Sequence, residues 1–252
     1  MNKAVVVVLW MVPLLAYSSP QSPKPMASES PKAATADAGD DYGSMPEVSD
    51  PFESLNRNLF SFNDKFYSWV LTPISKTYTS VVPLLVRKGI HNAFENIKFP
   101  VRTVNSGLQG NFGRSGKELQ KFVVNTLAGI GGLLRPSDEI PSLREIPAED
   151  FGQTLATWGM GQGPYVVLPI LGPATGRETF GLIGDYALNP VNWTLALGGQ
   201  ANDWAWIPSI GNTLQSLPEQ LSNYNDSKAN AIDPYTAIKS AYVQNRNKAA
   251  LE

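Results

Sequence analysis

The sequence contains no cysteine and a single histidine, His91, among its 252 residues. The lack of cysteine excludes disulfide bonds, thiolate nucleophiles and cysteine-ligated zinc, although it does not fix the redox compartment. A lone histidine cannot form a multi-histidine metal site within one chain. The sequence therefore predicts neither a metal centre nor a cofactor.

An excess of basic charge is also missing. The chain carries 20 Lys and Arg residues against 22 Asp and Glu residues, which gives a formal net charge of −2. No global positive field draws such a chain to nucleic acid, so we expect no nucleic-acid partner. Its length is sufficient to bury a sizeable core, and we expect one domain once the two ends are set aside.

The N-terminus has the character of an export signal. Lys3 precedes an apolar run over residues 4–16, which is too short to span a bilayer comfortably and has the length of a signal-peptide core. Residues 16–18, Ala-Tyr-Ser, fit the small-x-small rule, so we predict a signal peptide over residues 1–18; an uncleaved N-terminal anchor is the alternative. Residues 19–49 are predicted to be a disordered linker, because they contain too few large apolar residues to form a core.

Residues 50–224 are predicted to form a mostly helical domain. Asp50 and Pro51 are expected to open its first helix as N-cap and first residue, and Pro73 to end it. The apolar residues of this helix recur at steps of three and four, and they are Phe52, Leu55, Leu59, Phe62, Phe66 and Trp69. So broad an aromatic surface favours contact with both protein and a membrane interface, whereas plain burial against other helices is the alternative.

Residues 225–252 are predicted to be a polar C-terminal tail with a short helix, because Ile232, Tyr235, Ile238 and Tyr242 recur at helical spacing. Among the helices predicted before this tail, a longer helix is expected from about Thr175 to Leu188. The glycines inside that helix lower its intrinsic stability, so we expect each to mark a close contact with another backbone. These glycines are Gly176, Gly181 and Gly184.

The segment over residues 158–171, which we call the strap, carries Gly and Pro at a spacing that no regular helix accommodates. The residues between these breakers are mostly apolar. A soluble protein would bury such a segment across its core, whereas a membrane protein can use it where irregular backbone is shielded by protein or lines a cavity. The residues alone leave both interpretations open. A glycine-rich apolar turn at residues 129–134 is predicted to be a tight packing site.

Catalytic motifs are missing as well. The sequence has no G-x-S-x-G nucleophile elbow and no H-E-x-x-H pair. Residues 111–118 resemble a phosphate-binding loop superficially, but Asn111 replaces its first glycine and Glu118 its magnesium-binding Ser or Thr, so we predict a helix start there. The acidic pairs at 138–139 and 149–150 are also expected at helix starts, where negative charge is favourable. We therefore predict a protein that is not an enzyme.

Several separate blocks of sequence carry a family resemblance. They are Asp50-Pro51-Phe52-Glu53 with Leu55-Asn56-Arg57 and Phe62-Asn63, then Phe122-Val123-Val124-Asn125-Thr126 with Gly129, Gly131 and Gly132, then Phe151-Gly152-Gln153-Thr154-Leu155, Trp158-Gly159 and Gly163-Pro164-Tyr165-Val166-Val167-Leu168-Pro169. In this order, from about Asp50 to about Trp193, the chain resembles the MlaA family, also called VacJ, of outer-membrane phospholipid-transport proteins. The chain departs from typical members in having no cysteine at the end of the signal peptide to carry a lipid.

This resemblance implies an all-α fold in which amphipathic helices form a ring, with irregular Gly- and Pro-rich straps and little or no strand. It also implies intermembrane phospholipid transport: phospholipids mislocalised to the outer leaflet of the outer membrane would pass through an amphipathic channel, which maintains lipid asymmetry. The implied location is the periplasmic side of the outer membrane. The implied partners are phospholipids, an outer-membrane porin trimer and a periplasmic lipid-carrier protein.

On this interpretation the first helix, the glycine turn and the strap flank the lipid passage. The candidate residues are Phe62, Phe66, Gly131, Gly132, Leu133, Trp158, Gly161, Gly163, Tyr165 and Leu168. Two other functions are compatible with the residues. One is a soluble periplasmic helical protein that binds lipid or a partner, which the missing lipidation cysteine favours. The other is a lipid hydrolase that uses His91.

Overall fold

The computed structural model of the chain describes residues 48–144, 146–193, 207–229 and 231–251. The predicted signal peptide and almost all of the predicted linker lie outside these described residues. Nearly all of the predicted helical domain and C-terminal tail lie within them.

The first helical run is longer than predicted because Pro73 does not end it. Helix α1 covers Glu53–Phe66, a π-helical turn covers Tyr67–Leu71, and helix α2 continues through Thr72–Val81. Proline lacks the backbone N–H that a regular helix needs, and a π turn is the kind of local widening that lets a helix pass such a defect. The prediction of a helix end at Pro73 is therefore wrong.

The predicted N-cap is also displaced. The residue before α1 is Phe52, and it makes no side-chain cap. The carboxylate of Asp50 is turned elsewhere: it accepts hydrogen bonds from Asn56 Nδ2 at 2.8 Å, Tyr235 Oη at 2.5 Å and Lys239 Nζ at 2.9 Å. Tyr235 and Lys239 lie on the C-terminal helix, and their hydrogen bonds occupy the carboxylate in place of a local cap. Asp50 therefore joins the start of α1 to the C-terminal helix.

Eight further helices follow within the described ranges, one of them a single turn. They are α3 Leu84–Ile97, α4 Phe99–Leu108, α5 Phe112–Leu127, α6 Pro141–Arg144, α7 Phe151–Thr157, α8 Gly176–Leu188, α9 Ile207–Lys228 and α10 Pro234–Ala249, with a 3₁₀ turn at Pro136–Glu139. Two predicted helix starts are confirmed. Asn111 caps α5 by accepting from the Arg114 backbone N–H, and Asp150 forms a full capping box with Gln153 at the start of α7.

The strap contains one strand of the only sheet among the described residues. Strand β1 (Tyr165–Leu168) pairs antiparallel with β2 (Gly172–Thr175), with Tyr165 opposite Thr175 and Leu168 opposite Gly172. The connecting turn places Ile170 at φ 67° and Gly172 at φ 88°. The hairpin is small, so the predicted all-α class is confirmed.

Contacts between the elements close into a circuit, which confirms the predicted ring-like arrangement. Helix α9 packs on α3, α3 on α5, α5 on α4, α4 on α7, and α7 on α8. Helix α8 then contacts β2, the hairpin contacts α1 through β1, and α2 returns to α9. Helix α10 contacts both β2 and α9.

The C-terminal segment is more than a polar tail. The predicted boundary after residue 224 falls inside α9, and α10 runs for 16 residues. Tyr235, Tyr242 and Val243 of α10 are buried in a cluster with Tyr165 and Val167 of β1. The apolar stripe of α10 covers the hairpin, so this helix packs as part of the folded domain.

Gly181 of α8 marks a close contact with another backbone, as predicted, whereas Gly184 meets the Phe151 side chain and Gly176 has only ordinary contacts. A Cβ on Gly181 would lie 2.7 Å from the backbone nitrogen of Gly152, and one on Gly184 would lie 2.4 Å from the Phe151 ring. Both distances are below any ordinary contact, so α7 and α8 approach each other only because these side chains are missing.

Candidate functional site

Over much of this fold, large apolar side chains lie on the surface and polar side chains lie inside, the reverse of the usual arrangement in a water-soluble protein. Among the described residues, 28 large apolar side chains are exposed, whereas only 15 apolar residues are buried. All but Ile207, Ile232 and Leu251 of the exposed ones lie between residues 52 and 193, and we call these the apolar surface. Large exposed apolar patches on proteins mark contact with lipid or with other proteins, so this surface is a candidate for such contact.

The interior is correspondingly polar. Twenty-five polar or charged residues are buried within the described ranges. In one group, Asn105 Nδ2 donates to Asp185 Oδ1 at 3.2 Å and Thr154 Oγ1 donates to Asn105 Oδ1 at 2.9 Å. Asp185 Oδ1 also accepts from the Phe151 backbone N–H at 2.8 Å. Such satisfied networks link α4, α7 and α8 across the inside of the fold.

A charged network continues between α3, α4 and α5. Arg102 Nε donates to Glu118 Oε2 at 2.8 Å, and Lys98 Nζ donates to Glu95 Oε1 at 2.9 Å. Burial alone would raise the pKa of Glu95, but Lys98 and Arg102 outweigh that effect and lower the pKa to about 2. The interior of this region therefore holds ionised pairs, which are costly to bury unless paired.

Two asparagines of α1 hold the strap. Asn56 donates to the Tyr165 carbonyl at 3.1 Å and accepts from the Val167 N–H at 2.8 Å. Asn63, seven residues later, donates to the Leu168 carbonyl at 2.9 Å and accepts from the Ile170 N–H at 2.7 Å. A carboxamide offers both a donor and an acceptor, so each asparagine substitutes for a neighbouring strand. We call this pair the asparagine clamp.

The clamp continues at Tyr67, whose hydroxyl donates to the Ile170 carbonyl at 2.6 Å. Three side chains on one face of α1 and the π turn therefore satisfy the backbone of the irregular strap. Backbone N–H and C=O groups that lie outside a regular helix need other hydrogen-bond partners in an apolar setting, and these side chains supply them.

One residue that was predicted to line the passage is buried in the core. Tyr165 is fully buried in the cluster with Tyr235 and Tyr242, with ring centroids 6.1 and 6.4 Å away. Burial raises the pKa of its hydroxyl. Because α10 covers this side of the hairpin, the structure places Tyr165 in the core, where it supports the strap from behind. Leu168, on the opposite face of β1, is half-buried.

The remaining candidates lie on three parts of the fold. Phe62 and Phe66 stack on α1 with ring centroids 6.2 Å apart. Gly131 and Gly132 form the predicted tight turn at φ 68° and 92°, with Leu133 exposed beside them. A Cβ on Gly132 would lie 2.7 Å from Asn96 Nδ2, so this turn is pressed against α3.

The start of the strap is more open. Trp158 is 56 % exposed, and its indole N–H donates to the Leu108 carbonyl at 3.2 Å. Gly161 and Gly163 are exposed, and Gly163 has φ 70° and lies beside Gly176. This part of the strap thus combines an exposed aromatic ring with backbone that only glycine adopts easily.

Sequence reasoning missed the asparagine clamp and the buried charges. The seven-residue spacing of Asn56 and Asn63 was visible, but it shows only that both lie on one helix face. His91 is polar-paired, with Nδ1 2.7 Å from Gln215 Oε1. No group of His, Cys, Asp and Glu among the described residues is arranged to hold a metal ion. In the same ranges, no helix has both the length and the apolar character needed to cross a membrane.

Comparison with known proteins gives the family. The model of the MlaA lipoprotein family matches residues 48–249. The chain belongs to this family. The match includes α10, which agrees with its place in the core.

Two similar MlaA relatives carry the same descriptive name. The intermembrane phospholipid transport system lipoprotein MlaA of Shigella flexneri is 32% identical over 202 residues, covering 78% of this chain and 76% of that protein. The one from Escherichia coli strain K12 is 30% identical over 201 residues, covering 78% and 76%.

A solved structure matches the fold. It comes from a study of the structural basis for maintenance of bacterial outer membrane lipid asymmetry. The TM-score is 0.67 at 29% identity, and the match covers 80% of this chain and 99% of that one.

Proposed function

We propose that this protein is a non-enzymatic component of intermembrane phospholipid transport, seated in the periplasmic leaflet of the outer membrane. It removes phospholipids mislocalised to the outer leaflet and passes them towards the periplasm, which maintains lipid asymmetry. Its family membership supports the general role, because similar members are named for phospholipid transport.

The observation that carries the proposal is the reversed polarity. Exposed apolar side chains outnumber buried ones among the described residues, and buried polar groups such as Asn105, Thr154 and Asp185 bond to one another. Helices with apolar outer faces can lie within one leaflet without crossing it. A ring of them then separates hydrocarbon outside from polar groups inside, which is the environment that a phospholipid headgroup needs.

The lipid passage is proposed to run beside the clamped strap. Its candidate lining is Phe62, Phe66, the turn at Gly131, Gly132 and Leu133, and the strap residues Trp158, Gly161, Gly163 and Leu168. Tyr165 supports this lining from the core. The asparagine clamp is proposed to keep the strap rigid while lipids pass, because it supplies hydrogen-bond partners to four strap backbone groups: the Tyr165 and Leu168 carbonyls and the Val167 and Ile170 N–H groups.

The proposed partners follow the family resemblance. They are an outer-membrane porin trimer beside the apolar surface and a periplasmic lipid carrier that receives the lipid. The 252 residues contain no cysteine to carry a lipid. We therefore propose that the apolar surface itself retains the protein at the membrane.

Fractionation of native cells tests this proposal, with carbonate washing of the membranes and a count of outer-leaflet phospholipid in a deletion strain. We expect the protein to stay with the outer membrane and the deletion strain to accumulate outer-leaflet phospholipid. A protein recovered in the soluble periplasmic fraction would favour the soluble lipid- or partner-binding function instead. Normal outer-leaflet lipid in the deletion strain would contradict transport.

A further inference from the structure

Basic charge is segregated in one segment of the chain, residues 65–94. This segment covers the end of α1, the π turn, α2 and most of α3. It contains no Asp or Glu, and its basic residues are Lys65, Lys76, Arg87 and Lys88. None of these four forms an ion pair within the described ranges, whereas nine other basic residues there do. The segment therefore carries uncompensated positive charge on a chain whose formal net charge is −2.

Exposed apolar side chains accompany this charge where α2 meets α3. We call residues 81–88 the corner; they end α2, pass through Val82 and Pro83, and begin α3. Its exposed apolar side chains are Val81, Leu84, Leu85 and Val86. The corner begins about 20 Å along the helical run from Tyr67, at 1.5 Å per residue, so it is separate from the clamped strap. Apolar side chains beside cations are typical of segments that lie in a membrane interface.

The guanidinium of Arg87 is held at the corner with donors to spare. Its Nε donates to the Val82 carbonyl at 3.0 Å, which folds the side chain back over the end of α2. Among the described residues, its two terminal nitrogens have no hydrogen-bond partner. Burial raises the pKa of the Tyr78 hydroxyl and the charge of Arg87 opposes that rise, yet this hydroxyl is also unpaired. A guanidinium fixed in this way presents the planar fork that binds phosphate.

We propose that the corner binds the surface of an anionic phospholipid leaflet. Its apolar side chains enter the acyl region, while Arg87 and Lys88 bind headgroup phosphates. The other two basic residues of the segment add attraction to a negatively charged surface. The choice of a membrane rests on the proposed function, to which the corner adds a headgroup class: phospholipids with a net negative charge. An uncharged apolar partner would leave these cations without a counter-charge, which is costly away from water.

The cysteine-free sequence allows a fluorescent probe to be placed at one chosen position. An environment-sensitive fluorophore on Leu85→Cys reports the corner, where that side chain is 81% exposed, and one on Ala241→Cys reports the exposed side of α10. The purified full chain is diluted out of detergent into increasing amounts of vesicles. These contain phosphatidylcholine alone or phosphatidylcholine with an equal part of phosphatidylglycerol. We expect a blue shift at position 85 only, with a lower half-saturating lipid concentration when phosphatidylglycerol is present.

Removing one charge from the corner should weaken this preference. Lys88→Gln is expected to raise the half-saturating concentration of phosphatidylglycerol vesicles about fivefold, the usual contribution of one basic residue near an anionic surface. Lys248→Gln, on the exposed side of α10, is the matched control and should leave it unchanged. High salt should abolish the difference between the two kinds of vesicle for the parent protein, because it screens surface charge.

Arg87→Gln separates headgroup binding from a structural role. It should raise the half-saturating concentration at least as much as Lys88→Gln, although it also loses the bond to the Val82 carbonyl. Lys88→Gln should unfold in detergent at the temperature of the parent, because its exposed side chain has no ion pair among the described residues. If Arg87 only caps the end of α2, Arg87→Gln will unfold at a lower temperature while both variants keep the parent's lipid preference. That result would overturn the proposal.

Three other results would also overturn it. Equal half-saturating concentrations for the two kinds of vesicle would exclude recognition of anionic headgroups. An equal loss in Lys88→Gln and Lys248→Gln would mean attraction by overall charge instead of binding at the corner. A probe at position 85 that keeps its aqueous spectrum with both kinds of vesicle would leave a protein as the occupant of the corner. Membrane retention and outer-leaflet lipid are measured separately, so the proposed function stands or falls on its own test.

Discussion

Helices α5 and α10 are both 16 residues long, yet their faces are reversed. On α10, Tyr235, Ile238 and Tyr242 point inward, while Thr236, Gln244 and Lys248 are exposed. On α5 the apolar residues are outside, and the buried residues are polar. The exposed ones are Phe112, Leu119, Val123 and Leu127, and the buried ones are Glu118, Lys121 and Asn125.

The difference shows that the same physical rule applies to two helices with different surroundings. Apolar groups leave water wherever they can, and polar groups are buried only with partners. Helix α10 obeys this rule as the outer helix of a water-facing protein. Helix α5 obeys it if hydrocarbon replaces water outside, as the proposed function requires. The four predictions below test this contrast.

The largest expected effect comes from the inner face of α5. Glu118→Ala should lower the free energy of unfolding by about 3 kcal/mol, because Glu118 is buried and its loss leaves the half-buried Arg102 guanidinium without its closest carboxylate. Thermal unfolding in detergent measures this, with Lys117→Ala on the exposed face as control. Similar stabilities for the two variants would show that the polar interior of α5 contributes little.

The same contrast extends to α1. Asn56→Ala should cost about 2–3 kcal/mol, since the Tyr165 carbonyl and Val167 N–H lose their partner inside the fold. Its neighbour Asn58 is exposed on the same helix, so Asn58→Ala is the matched control. Limited proteolysis of the strap, combined with thermal unfolding, measures the loss. An unchanged strap in Asn56→Ala would contradict the clamp.

The outer faces are compared by adding a charge to each. Leu127→Lys on α5 should weaken membrane retention by about 2 kcal/mol, less than at a bilayer centre because lysine can extend to the interface. Gln244→Lys on α10 should have no effect, because that face is expected to meet water. The measurement is the fraction of protein left in membranes after a carbonate wash. Equal retention of both variants would break the proposed contrast.

The smallest expected effect is a pH dependence. The pKa of Glu95 falls from its ordinary 4.5 to about 2 on folding, so its ionisation stabilises the fold above pH 4.5 and loses that effect as the pH falls towards 2. Its side chain is 29% exposed, so solvent screening reduces the contribution to about 1 kcal/mol. Glu95→Gln should therefore be less stable than the parent at pH 7, with a gap that narrows as the pH falls below 4.5 and nearly closes at pH 2. A gap that widens on acidification would contradict this sign.

Local patterns in the sequence predicted the helices well where neighbouring residues decide the outcome. The caps at Asn111 and Asp150 and the turn after α5 follow from short-range geometry. The predictions for Pro73 and Asp50 were wrong because neighbouring residues do not decide the outcome at these two positions. A π turn absorbs the proline, and Asp50 bonds to residues that lie more than 180 positions away.

Composition and motif order determined that the chain is mostly helical, has no cysteine-based chemistry and resembles the MlaA family. They did not determine which face of each helix is outside. The same amphipathic pattern can place its apolar face inward, away from water, or outward, against hydrocarbon. Only the tertiary structure decided that, by burying Glu118 and Asn56 and exposing Leu127. It also buried Tyr165 in the core, since alternation along a strand shows that two faces differ but not which one α10 will cover.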